Sequence, residues 1–117
     1  MKHVRTTLLL LIAVSSAPTF TLAADAEAGL LAIKALGGVN GQALACAETR
    51  VAARAKQLML AHAPKTQRFG AAYEEATQEA FSAQTRSGKP CADATELTAR
   101  LNQLALQLSE ALPVAAK

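Results

Sequence analysis

Leu97, Leu101, Leu104, Leu108 and Leu112 recur at spacings of four, three, four and four, and the run stops at Pro113. Residues at these spacings share one face of an α-helix, and a five-leucine face has to be covered before such a helix is stable in water. The cover must itself be helical. Val, Ile and Thr nowhere alternate with polar residues over the length of a strand, whereas apolar residues recur at three and four along the whole chain. The expected fold class is all-α, a small bundle of three to four helices.

The other end of the sequence has a different character. Lys2, His3 and Arg5 precede an apolar run from Leu8 to Val14, and small residues follow up to Ala24. This is the pattern of a secretory signal, with cleavage expected after Ala23 or Ala24. The apolar run is far short of the roughly 20 residues that span a bilayer, so no stable membrane anchor is expected. The expected organisation is a removed segment, residues 1–24, and a single small helical domain, residues 25–117, exported to the periplasm or beyond.

Processing also changes the charge. Loss of Lys2 and Arg5 leaves 10 of the 12 Lys and Arg against 9 Asp and Glu, a net of +1 in place of +3. With two Phe and one Tyr remaining, the chain lacks the basic stripe and stacking aromatics of a nucleic-acid binder, and nucleic acid is set aside as a partner. Alanine supplies much of the apolar content, so close helix packing has to stand in for bulky core residues.

A core of this kind needs a staple, and Cys46 and Cys91 offer one. They are the only cysteines and lie 45 positions apart, which is not the spacing of a CxxC redox site or of covalent haem attachment. A structural disulfide in an oxidising compartment is the simplest reading, worth roughly 4 kcal/mol on the chain-entropy model.

Four helices are expected. The first runs from Asp25 to Leu36 and is stopped by "GGVNG", in which three glycines and an asparagine supply positive-φ positions. The second runs from Gln42 to about Ala63, with Cys46 in its first turns. Leu44, Val51 and Leu58, with Ala55 between them, form one stripe, and Cys46, Ala53 and Leu60 form another nearly opposite, the pattern of a central helix. Pro64 ends it. The third runs from Thr66 to about Gln84 with Phe69, Tyr73, Ala76, Ala80 and Ala83 on one face. The fourth carries the leucines and starts at Asp93, which together with Glu96 matches a capping box. A disulfide would then link the starts of helices two and four, which would run parallel with the third returning between them and the first docked alongside.

Chemistry is sparse. His62 is the one histidine after processing, and with Met59 it makes at most a two-ligand copper(I) set, so no metal residue or cofactor is assigned. Glu74, Glu75 and Glu79 on an outward helix face read as solvated carboxylates rather than as an acid/base pair. No nucleophile, base and orienting group come together, and an enzyme is not expected. The segment "HAPKTQRF" is the most distinctive: Lys65, Arg68, Phe69 and Tyr73 at a proline elbow are the candidate partner-facing residues, although Phe69 and Tyr73 at helical spacing equally suit a core.

The ground plan of signal, small helical domain and one long-range disulfide resembles several unrelated groups of bacterial periplasmic proteins, among them acid-stress chaperones and helical immunity proteins. The resemblance is one of architecture and transfers no residue. It fits a non-enzymatic interaction protein whose partner is another periplasmic protein or a second copy of itself. The alternative is a periplasmic carrier of copper or a small ligand.

Overall fold

The stretch "GGVNG" does not break the chain. In a computed structural model, which describes residues 20–114, one helix runs through it: α1 is Phe20–Ala45, followed by α2 (Thr49–His62), α3 (Gln67–Ser87) and α4 (Ala94–Ala111). The fold is an all-α bundle, and no strand is present among the described residues. The expected signal segment lies for the most part outside the described residues.

Two corrections follow at this first joint. The first helix is not short, and the second does not begin at Gln42, because Gln42 to Ala45 belong to α1. The break falls instead at Cys46, Ala47 and Glu48. Ala47 adopts φ 57, the amide of Glu48 donates to the Ala43 carbonyl at 2.8 Å and that of Ala47 to Leu44 at 3.3 Å. These bonds are those of a Schellman C-cap, built here with alanine where glycine is usual.

The glycines serve a different purpose. A Cβ on Gly37 would fall 2.6 Å from the Tyr73 carbonyl oxygen and 2.9 Å from the Ala76 Cβ. One on Gly41 would strike the Thr77 carbonyl and come within 2.8 Å of the Ala80 Cβ and the Phe81 amide. Without side chains at these two positions the backbones of α1 and α3 come close together, and Ala76 and Ala80 make the matching small face. Between the glycines, Asn40 is buried and donates from Nδ2 to Thr77 Oγ1 at 3.2 Å. Contacts that advance together along both helices, Gly37 with Tyr73 and Gly41 with Thr77, make α1 and α3 parallel.

On its other side α1 packs against α2 and α4. Ile33 and Leu36 from α1 and Leu97, Leu101 and Leu108 from α4 are the largest fully buried side chains, joined by Val51, Ala52 and Ala55 of α2. Each such large aliphatic contributes about 1.5–3 kcal/mol relative to exposure. The leucine stripe of α4 is the core face, as its spacing requires.

Helices α2 and α4 run in the same direction, tied at both ends. At their starts Cys46 and Cys91 form a disulfide with a Cα–Cα distance of 5.8 Å. At their ends His62 Nδ1 donates to the Leu112 carbonyl at 2.8 Å. The expected placement of α3 between them is overturned: α3 packs along α1 and has its main contacts there. The spine of the bundle is therefore α1, not α2, and the stripe Cys46, Ala53, Leu60 is not a second buried face. Ala53 is exposed and Leu60 is 58% exposed.

The remaining boundaries follow local chemistry. Ala63 is held extended, at ψ 133, ahead of Pro64, and α2 ends where the proline requires. Gly88, at φ 64, closes α3 in the left-handed region. Asp93 accepts from the Glu96 amide at 2.8 Å, but the Glu96 carboxylate is turned to Arg100, so only half of the capping box forms.

Candidate interaction surfaces

The proline elbow places its four singled-out residues differently. Lys65 and Arg68 are exposed, and Lys65 Nζ donates to the Leu60 carbonyl at 3.0 Å, which caps the end of α2. Phe69 is buried in the core cluster. Tyr73 is half-buried: its ring lines a groove, while its hydroxyl is buried without a hydrogen-bond partner among the described residues. Burial pushes the Tyr73 hydroxyl up to about 12.

His62 and Met59 have structural duties. The histidine ring nitrogen is engaged by the carbonyl at the end of α4, and Met59 packs against the core. Among the described residues no group of three or more His, Cys, Asp or Glu side chains is placed to hold a metal ion. Both cysteines are consumed in the disulfide. Among the described residues no helix is long and apolar enough to cross a membrane.

What the geometry does bring together is a pair of grooves, one on each side of α3. The cause is that α3 packs chiefly on α1 and barely touches α2 or α4, which leaves both of its flanks open. On the first side, α1 shows an uncovered stripe of Ala28, Leu31, Ala35 and Gly38. The α3 wall carries Glu75 and Glu79, the α4 wall Glu110, and Lys34 lies on the α1 stripe. Leu31 is 62% exposed there.

On the second side a groove of about 540 Å³ lies between α2 and α3, with Leu44, Ala52 and Tyr73 among its lining residues. Its α2 wall carries Lys56 and its α3 wall Glu74. Leu44 is 49% exposed. The three glutamates of α3 are thus divided, Glu74 to one groove and Glu75 with Glu79 to the other. Among the described residues the one salt bridge is the exposed Arg100–Glu96 pair within α4, so Lys56 and Glu74 form none.

The sequence did not reveal these grooves, because Leu44 and Leu60 read as buried positions on a continuous second helix. Once the chain turns at Ala47, Leu44 faces the α2–α3 opening from the end of α1, and Leu60 falls near the end of α2 beside the proline elbow. No protein-family model matches the chain, and neither a curated protein nor a solved structure does.

Proposed function

We infer that the protein is a non-enzymatic interaction protein of the periplasm, and that the open face of α1 between α3 and α4 receives a helix from another protein. One observation carries this reading: Leu31 stands 62% exposed in the middle of a spine helix that is covered on its other sides. The neighbouring Ala28, Ala35 and Gly38 would let a second backbone approach closely, and a ridge of larger side chains on the partner would fill the space. Glu75, Glu79 and Glu110 on the two walls favour a partner with cationic flanks. The compartment rests on the expected export signal and on a disulfide that persists under oxidising conditions.

The test is site-specific photo-crosslinking in cells that export the protein. A crosslinking residue at Ala35 should give one discrete adduct, lost when Leu31→Glu is added. A residue at Asn102, on the outer face of α4, should give none. Equal adduct patterns from the two positions would sink the proposal.

A further inference from the structure

The two grooves differ in charge, and the difference sorts their occupants. The α1 face between α3 and α4 sets three carboxylates, Glu75, Glu79 and Glu110, against the single cation Lys34, so a second copy laid on it would bring together two surfaces of net negative charge. The groove between α2 and α3 has a cation on one wall and a carboxylate on the other. A two-fold axis running along this groove exchanges the walls: the α2 of one copy lies over the α3 of the next, and Lys56 of each meets Glu74 of the other. We propose that this groove is the contact between two copies of the chain, a symmetric dimer closed by two Lys56–Glu74 pairs beside the apolar lining of Leu44, Ala53 and Tyr73.

The apolar lining is supplied by the same flanks. On α2, Ala52, Ala53 and Lys56 line the groove. On α3, Tyr73, Glu74 and Thr77 do so, and Leu44 at the end of α1 completes the lining. Leu44, in the lining, and Phe81, one turn beyond Thr77, are large hydrophobic side chains that the bundle leaves exposed. Because the axis runs along the groove, each copy's Leu44 end meets the other's Leu44 end, and the exposed Phe81 lies at that same end. The interface is isologous and closes on itself, so it yields a dimer and not a filament. This inference is independent of the partner helix proposed for the opposite face.

Sedimentation equilibrium of the purified protein tests it, with Lys56→Glu and Glu74→Lys as separate variants. Both residues are exposed, and circular dichroism checks that each variant keeps its helices. Wild type should dimerise. Either variant alone sets like charges against each other twice and should weaken the dimer by about tenfold or more. An equimolar mixture of the two variants restores both pairs with opposite sign and should regain the wild-type affinity, an outcome that a merely damaged surface would not produce. The proposal is overturned if wild type stays monomeric up to about 1 mM. It is equally overturned if the single variants dimerise as wild type does, or if the mixture is no tighter than its components.

Discussion

Adding a single methyl group should have opposite effects at two neighbouring glycines of α1. Alanine is the better helix former by about 0.5–1 kcal/mol, so Gly38→Ala, where the new Cβ meets nothing within 4 Å, should stabilise by about that amount. At Gly41 the same methyl would overlap the Thr77 carbonyl and lie 2.8 Å from both the Ala80 Cβ and the Phe81 amide. Ordinary carbon contacts are about 3.5–4 Å, so the two helices must separate by roughly 1 Å at that level. The obstructing atoms are mostly backbone and cannot rotate away. Overpacking of this kind costs about 1–3 kcal/mol, and the Asn40–Thr77 hydrogen bond at 3.2 Å is pulled apart with it, costing about 1 kcal/mol more. After the propensity gain, Gly41→Ala should be destabilised by about 1–3 kcal/mol. Thermal melts followed by circular dichroism convert this to a loss of about 4–8 °C per kcal/mol, against a gain for Gly38→Ala. If Gly41→Ala melts at or above wild type, beside Gly38→Ala, the glycines are not a helix contact and the reasoning fails.

Three further outcomes follow from the same structure. Replacing both Cys46 and Cys91 by serine removes a 45-residue closure and should cost about 4 kcal/mol in urea denaturation, a large share of a small domain's stability; a loss under about 1 kcal/mol would mean that the α2 and α4 starts are held by packing alone. Tyr73→Phe deletes a buried hydroxyl without a partner and should leave stability at pH 8 unchanged or raised by about 1 kcal/mol. Because burial raises Tyr73 to about 12, the folded protein holds that proton more tightly than the unfolded chain, so this group destabilises the fold only as pH rises from about 10 to about 12. The phenylalanine variant should lack that part of the alkaline loss, and, with one tyrosine and no tryptophan, tyrosinate absorbance reads the titration directly. Ala47→Gly relieves a left-handed alanine at the α1 C-cap and should stabilise by about 1 kcal/mol in the same denaturation assay; a loss of stability would show that the turn does not need φ 57.

The sequence carried the class of fold, the fourth helix and the staple, because each depended on a local or counting rule. Five leucines at helical spacing have one arrangement that buries them, and the two cysteines of the chain have only each other to pair with. The proline at position 64 likewise ended its helix where proline geometry demands. The spine was misread because glycine has two meanings. In isolation "GGVNG" has the composition of a loop, and only the small face of α3, with Ala76 and Ala80 opposite, turns Gly37 and Gly41 into a contact. That assignment displaced the next helix as well. Starting α2 at Gln42 put Leu44, Cys46, Ala53 and Leu60 on a single wheel, whereas the turn at Ala47 separates the first two from the others. The surface grooves inherit the error, since they are defined by what α3 does not cover. Lys65 and Arg68 stood out for their local setting, whereas Lys56 and Glu74 matter only as opposite walls of a space that no short segment contains.

The continuity of α1 through its glycines underlies the α1–α3 contact and both open grooves. Native-state amide hydrogen exchange at Gly37, Gly38, Asn40, Gly41 and Ala43 tests it most directly. A continuous spine predicts that these amides exchange slowly, with protection comparable to that of Leu101 and Leu104 in α4. Exchange at the rate of an unstructured loop over Gly37 to Gly41, with protection resuming only at Gln42, would contradict it and return the chain to a short first helix followed by a break.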